Sequence, residues 1–426
     1  MKRRDFLQRG ATGAAGAIGA SLLGALPASA AEAALAGQPA ATTSPVGKPP
    51  GEPAPISEQE LAERRARAQR LMAEREIDAL FIEPGANLLY FSNIRWGRSE
   101  RLFGMLLPKT GAPVFISPAF EANRAEAQLG NRFQLRAWQE DESPYRLIAD
   151  TLAGLGLKTG TIAIDESARF FVPHELGHAA PALTVTMADE VTHLCRGVKS
   201  AHEIEIMRYA NRITLDAYRS ALGTLRQGMT QAELSQAVTA GFRKLGYEGY
   251  ALVLFGESSA YPHGLPQPRA LERGQTVLID GGCNVLGYES DMTRTVVFGT
   301  PSAEQQHVWE IVHQAQAAAL AAAAPGRKAG DVDAAARKVI TDAGFGPDYK
   351  YFTHRLGHGI GLEGHEWPYL VRGSQVVLQP GMTFSDEPGI YQYGKFGLRL
   401  EDIMVITDNG AELLTPPSSS LSPTLA

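Results

Sequence analysis

From residue 57 onward the chain alternates helical and strand patterns of apolar spacing. "SEQELAERRARAQRLMAERE" is a charged amphipathic helix, "DALFIE" and "PVFIS" are short buried strands, and "TGTIAIDE" is another strand. Residues 56–192 are therefore predicted to form an α/β domain. The pattern changes near Lys199. "SAHEIEIMRYANRITLDAYRSALGTL" predicts a long helix, with Ser200 and Glu203 spaced as a capping box. "TQAELSQAVTAGFRKLG" repeats the device with Thr230 and Glu233, and Gly246 suits its C-terminal end. Strands follow, then an Ala-rich helix around 304–324 stopped by Pro325-Gly326, a helix around 330–343, and strands to about residue 407. Residues 193–415 are predicted as a second domain. The polar tail 416–426 is expected to be loose.

The N-terminus has a different character. "MKRRDFLQRG" is basic, "ATGAAGAIGASLLGALP" is apolar but rich in glycine, and "ASA" supplies small residues for cleavage. Residues 1–30 thus read as a secretory signal, and Arg3-Arg4 before Asp5-Phe6-Leu7 resembles the twin-arginine type. The expected location is periplasmic or secreted. Residues 31–55 are rich in Ala, Pro and Gly and read as a linker too poor in large apolar residues to pack. The leader carries Lys2, Arg3, Arg4 and Arg9 against Asp5, so its loss takes the net charge from −6 to −9. That acidic balance, without a basic run, argues against a nucleic-acid partner. No later stretch is long enough to cross a membrane. The two cysteines, Cys195 and Cys283, fall in different predicted domains and are expected to be buried free thiols.

Residues 277–295, "VLIDGGCNVLGYESDMTRT", place one acid at the end of an apolar strand and a second beyond a turn. A hairpin turning about Val285-Leu286 would put Asp280 directly opposite Asp291, with a loop of four fitting the sequence better than a tight turn. Opposed carboxylates about 5 Å apart repel, and a cation between them relieves this. Further donors lie downstream. "THRLGHGIGLEGHEWP" holds His354, His358 and His365; "GMTFSDEPGIY" holds Glu387; "GLRLEDIMVIT" is read as a strand with Arg399 and Glu401 on one face. Buried carboxylates need pairing or a metal. Four carboxylates (Asp280, Asp291, Glu387, Glu401) and one imidazole (His358) form an oxygen-rich set that favours Mn, Co, Fe or Zn. Their charge balances two divalent ions with room for one bridging hydroxide, and ions about 3.5–4 Å apart suit hydrolysis.

The whole set resembles the "pita-bread" metallopeptidase superfamily of prolidase, aminopeptidase P and methionine aminopeptidase, with the metal-free relative creatinase. "IDGGCNVLGYESDMTRT" is similar to its Asp–(ten residues)–Asp hairpin, and "GHGIGLEGHEWP", "DEPGIY" and "LRLED" to its His, Glu and Glu segments. The resemblance covers nearly all of residues 57–415. It implies an α+β chain with an N-terminal creatinase-like α/β domain and a C-terminal pita-bread catalytic domain. It implies metal ligation by Asp280, Asp291, His358, Glu387 and Glu401, with Asp291 and Glu401 bridging, and two divalent ions, Mn being expected. In the proline-specific branch, His263 of "YPHG" and His354 would help form the pocket around the proline side. His365 would hydrogen-bond the substrate carbonyl and the developing oxyanion. Arg399 and Tyr391 would stand behind the ligands. The implied activity is hydrolysis of Xaa-Pro bonds in dipeptides or at peptide N-termini, by a homodimer. A lyase or non-peptide hydrolase on the same metals, similar to dimethylsulfoniopropionate lyase or creatinase, is the alternative. Three departures from the family pattern bear on substrate: Gly281-Gly282 after the first Asp, Asp386 beside Glu387, and Ile403 after "LED".

One further motif competes. "VPHELGHAAP" contains His174-Glu175-Leu176-Gly177-His178, an H-E-x-x-H match. Pro173 and Pro181 limit any helix there to about two turns. It is expected to be an ordinary surface helix.

Overall fold

The computed structural model describes residues 47–267 and 269–425. The predicted leader, and the linker up to residue 46, lie outside the described residues. The end of the linker, residues 47–55, does pack, contrary to expectation. Tyr209 donates to Pro49 O (2.9 Å), Arg212 to Pro50 O (2.8 Å), and His202 Nε2 lies 3.0 Å from Ala54 O. Backbone carbonyls and the buried Pro53 hold this segment, so hydropathy gave little sign of it.

After the helix Glu58–Glu74, capped by the Ser57/Glu60 box, comes a six-stranded sheet. Its strands are β1 (Ala79–Ile82), β2 (Gly104–Pro108), β3 (Val114–Pro118), β4 (Gln134–Trp138), β5 (Gly160–Ile164) and β6 (Leu183–Met187), in the order β4-β3-β2-β1-β5-β6. Strand β2 runs antiparallel to both neighbours, while the β1–β5, β5–β6 and β3–β4 pairs are parallel. Period-2 alternation divides the strand residues between two cores. Leu80 and Ile82 pack with Met72 and Phe91 on one face; Ala79 and Phe81 pack with Ile148 and Leu176 on the other. Both faces are covered, which explains why these strands read as continuous apolar runs.

The second half contains two helix pairs. Both predicted capping boxes form, at Ser200/Glu203 for Ala201–Leu222 and Thr230/Glu233 for Gln231–Lys244. These helices pack on a sheet of β7 (Gly249–Phe255), β8 (Thr276–Val285), β9 (Tyr288–Glu289) and β10 (Met292–Val297). The helices Ala303–Ala322 and Ala329–Asp342 pack on a second sheet. Its strands β11 (Gly357–Gly359), β12 (Glu366–Leu370), β13 (Thr383–Asp386), β16 (Asp402–Ile406) and β17 (Ala411–Leu413) run in the order β12-β11-β13-β16-β17. A ribbon of β14 (Gly389–Gln392) and β15 (Phe396–Arg399) completes it. Among the described residues, no helix is long and apolar enough to cross a membrane. Cys195 and Cys283 are both buried and unpaired.

The tail is packed rather than loose. Val297 N donates to Leu421 O (2.9 Å), and Arg294 Nη2 donates to Pro416 O (3.2 Å). Leu421 and Leu425 enter the two separate cores of the catalytic half. Two leucines in a Ser-rich stretch are enough to anchor it, and the overall polarity concealed them. Leu421→Ala is expected to cost about 2–4 kcal/mol, the usual range for deleting a buried leucine. A denaturant midpoint unchanged from the parent would show that the tail does not contribute to the core.

Candidate active site

The acids lie where the two sheets meet. In β8, Val277, Ile279, Cys283 and Val285 face the helices, so period 2 turns Asp280 to the opposite face. The hairpin register differs from the sequence expectation. Thr293, not Asp291, pairs with Asp280; the ladder continues through Asn284–Glu289 and Val285–Tyr288. The turn is therefore a two-residue one at Leu286-Gly287, with φ of 54° and 102°, the signs a type I′ turn requires. Asn284 Oδ1 accepts from Gly287 N at 2.9 Å and closes it. Gly287 takes positive φ more readily than Val285 could, which moves the turn by one residue. The pairing then slips by two, and a slip of two preserves the face. Asp291 comes to lie beside Gly282, diagonal to Asp280, and oxygens of Asp280, Asp291 and Glu401 lie within 4.8 Å of one another.

The Gly-Gly departure has a steric cause. A Cβ on Gly282 would be 1.9 Å from Ser290 O, and one on Gly281, at φ +154°, 2.3 Å from Tyr250 O. A second departure, Asp386, points away from the site, and the third, Ile403, is buried in the core beneath the first helix pair. Asp386 pairs with Asp402 on the sheet's far face, toward the helix Ala303–Ala322, where Gln316 donates to Asp402 Oδ2 (3.1 Å). Burial and then Asp402 push the Asp386 carboxyl well above the usual range.

The second sheet contributes the remaining donors. His358 lies in β11, and its Nδ1 is 3.1 Å from Gly359 O. A carbonyl can only accept, so Nδ1 carries the proton and Nε2 presents a lone pair. That nitrogen is 3.3 Å from Glu387 Oε1 and 3.8 Å from Asp291 Oδ2. Glu387 follows β13, where Ser385 donates to its Oε1 at 3.1 Å. Glu401 lies between β15 and β16, so the single strand predicted through Arg399 and Glu401 is interrupted. Both still face the site. Glu401 N donates to Thr293 O (3.1 Å), and Thr293 Oγ1 donates to Glu401 Oε2 (2.6 Å).

Arg399 ties the centre together. Its Nη2 donates to Asp280 Oδ2 (2.6 Å), its Nη1 to Tyr391 OH (2.8 Å), and its Nε to Thr293 Oγ1 (3.1 Å). Tyr391 OH is 2.7 Å from His354 Nε2, and His354 Nδ1 is 2.8 Å from Arg355 O. The backbone carbonyl fixes the tautomer: Nδ1 holds the proton and Nε2 accepts from the phenol. Both ring nitrogens of His354 are thus engaged within the protein. His263 is exposed on a loop whose Pro262 O accepts from Arg399 Nη1 (3.4 Å). His365 is exposed on one side, with its ring centroid 3.7 Å from that of His358. A cavity of about 190 Å³ runs from His365, Trp367 and Tyr369 to Asn87, Glu166 and His193 of the N-terminal half.

The electrostatics test whether this set fits metal ions. Burial, then Asp280 and Glu387, raises Asp291 well above the carboxylate range. Burial, then Asp291, does the same to Glu401. Burial pushes Glu387 to about 7 against the pull of Arg399. Burial lowers His358 and His354 to about 3 each, so both are neutral, as a ligand imidazole must be. Acids that can ionise together only beside added positive charge, next to a neutral imidazole with an oriented lone pair, are a donor set that fits divalent ions. The groups Asp280–Asp291–Glu401, His358–Glu387–Glu401 and Asp291–His358–His365 each bring ligand atoms within 4.8 Å. Asp291, His358 and Glu401 each recur in two groups, so the three clusters form one continuous centre.

Residues 205–408 match Metallopeptidase family M24, and residues 64–198 match the Creatinase/Prolidase N-terminal domain. The probable dipeptidase PepE of Mycobacterium tuberculosis is 36% identical over 357 residues, covering 82% of this chain and 93% of that protein. The chain belongs to metallopeptidase family M24. The crystal structure of dipeptidase PepE from Mycobacterium ulcerans matches this M24 chain with a TM-score of 0.79 and 33% identity, covering 86% of this chain and 98% of that one. A prolidase from Thermococcus sibiricus matches with a TM-score of 0.77 and 30% identity, covering 85% and 98%. The chain is accordingly a metallopeptidase similar to Xaa-Pro dipeptidases and aminopeptidases, with a creatinase-type N-terminal α/β domain before the pita-bread domain.

The H-E-x-x-H match lies outside the donor clusters. It falls in the nine-residue helix Phe171–Ala179. The side chains of His174 and Glu175 are 52% and 50% exposed, and the two imidazoles stack edge-on at 4.7 Å. His174→Ala is expected to leave metal content and turnover within a few-fold of the parent. Loss of both in a folded variant would restore a zinc role to that helix.

Sequence reasoning missed Thr293 and Ser385, which orient Glu401 and Glu387. Thr293 carried a signal: it lies two residues from Asp291 on the same hairpin face. Ser385 carried a similar one, two residues before Glu387.

Proposed function

We propose that this M24 peptidase hydrolyses the peptide bond preceding proline in Xaa-Pro substrates, with two manganese ions held by Asp280, Asp291, His358, Glu387 and Glu401. The observation that carries this reading is the convergence of those five side chains beside His365 and the His263 loop. Bound there, the ions would lower the pKa of water and polarise the scissile carbonyl.

The protein's own groups do the remainder. Arg399 fixes Asp280 and, through Tyr391, His354. Thr293 and Ser385 hold Glu401 and Glu387 at fixed angles. His365, neutral because burial and then Arg355 lower its pKa, supplies an N–H to the carbonyl oxygen as negative charge develops there. His263 borders the proline side, with its loop tethered by Arg399. The twin-arginine-type leader supports export to the periplasm or beyond, and the resemblance to the proline-specific branch supports a homodimer.

The test is a substrate panel on chelator-stripped enzyme reconstituted with Mn, Co, Zn or Fe. Ala-Pro should be cleaved and Ala-Ala left intact, with Mn giving the fastest turnover. Cleavage of Ala-Ala at an equal rate would remove the proline assignment.

A further inference from the structure

We propose that Arg355 grips the free carboxylate of the substrate, which makes this chain a dipeptidase rather than an aminopeptidase of longer peptides. The inference rests on the Xaa-Pro reading and adds the substrate's length to it.

Four of the five candidate ligands are acids, so the centre repels a second carboxylate. An Xaa-Pro dipeptide nevertheless brings one. It follows the scissile bond by a single residue, roughly 3.5 Å of chain, so its counter-charge must lie on the rim of the metal centre itself. Several guanidinium groups surround the site, and most are already paired: Arg294 with Asp402 and Glu401 O, Arg337 with Asp333 and His354 O, and Arg196 with Glu363 and Glu366. Arg399 is buried and fully engaged with Asp280, Tyr391, Thr293 and Pro262 O. Arg355 is different. It is exposed, and among the described residues its side chain has no acid and no hydrogen-bond acceptor as a partner.

Its position is nonetheless defined. The guanidinium lies 4.4 Å from the centroid of the Tyr369 ring. Tyr369 is directly across from His358 in the β11–β12 ladder, so the two side chains share a face. Arg355 therefore covers the residue that faces the metal-binding imidazole, three positions after it in sequence. After burial and closer neighbours, its charge also disfavours protonation of His358, His365 and Glu387. A planar guanidinium stacked on an aromatic ring keeps its N–H edge free for a two-pronged grip on a carboxylate. His263, the other exposed donor nearby, lacks the guanidinium fork that matches a carboxylate with two N–H groups.

In a longer peptide that carboxylate is a neutral amide. The guanidinium would then lose water without gaining a charged partner, and binding would weaken. Calorimetry on the Mn-loaded enzyme with a non-cleavable reduced-bond Ala-Pro analogue, and with its C-terminal amide, tests this. The wild type should bind the acid more tightly than the amide by roughly 10–100-fold, the worth of one charge-assisted pair. R355Q should remove the difference, and R355K should keep part of it. The melting temperature of R355Q should stay close to that of the parent, since the side chain gives up an exposed stack on Tyr369 and no hydrogen bond. Equal affinities for acid and amide in the wild type, or an equal weakening of both in R355Q, would overturn the assignment alone. Failure of the wild type to bind either analogue would overturn the Xaa-Pro reading and this inference with it.

Discussion

Asp291→Asn should abolish turnover, by on the order of 10³-fold or more, because residues that act as one unit fail together. Its oxygens share one neighbourhood with Asp280 and Glu401, and another with His358 and His365. An amide offers one neutral oxygen in place of a charged pair, so a bridging role is lost. Stability should move the other way. Burial and the neighbouring acids raise the Asp291 pKa in the folded protein. A carboxyl raised on folding stabilises at low pH, and that contribution is lost as pH rises through the unfolded and then the folded value. Glu387, raised to about 7, puts much of this loss between its ordinary value and neutrality. The metal-free parent should therefore melt progressively lower as pH rises across that window. Manganese should restore it, by about 2.7 kcal/mol at a hundredfold excess over Kd. Metal-free Asp291→Asn should melt no lower than the metal-free parent and should gain much less from manganese. A variant with full metal occupancy and parental turnover would sink the assignment.

The acids and the imidazole that converge at the site were legible because each stands out from its local sequence. Asp280 interrupts an apolar run, His358 stands between glycines, Glu387 stands between a short strand and Pro388, and Glu401 follows Leu400. Helices were legible from their caps, since Ser200/Glu203 and Thr230/Glu233 are local and specific. The hairpin register was not. Its turn is decided by which residue tolerates positive φ, and Leu286 adopts it at 54° although a branched residue does so reluctantly. The convergence of Asp280 and Asp291 survived the error only because strand faces repeat every two residues. The tail and the end of the linker were misread for one shared reason. Both are held by a few hydrogen bonds to their carbonyls, and the tail also by two leucines, contributions too sparse to alter local hydropathy. Arg355 and Tyr369 were invisible as a pair because a ladder between β11 and β12 brings them together, and stacking on a ring leaves no trace in either residue's own neighbourhood.

His365→Ala should lower kcat by roughly 10²–10³-fold while KM changes little, as removal of a single oxyanion donor does. The reason lies in where the imidazole stands. Its ring is in contact with that of His358, yet it is exposed on the substrate side. Burial and Arg355 keep it neutral, so it can offer an N–H without bringing a full positive charge beside the ions. Such a donor gains most when the carbonyl oxygen becomes negative, which places its contribution in the transition state. His365 does enter one of the three clusters, with Asp291 and His358, so ligation is the competing role. The two roles separate in one set of measurements. A donor predicts full metal content, a melting temperature near the parent's and a collapse in kcat. A ligand predicts loss of metal together with activity. A purely structural side chain, packed beside the neighbouring loop, predicts a lower melting temperature with kcat preserved. His365→Gln, which retains an N–H of similar reach, should recover part of the rate only in the first case.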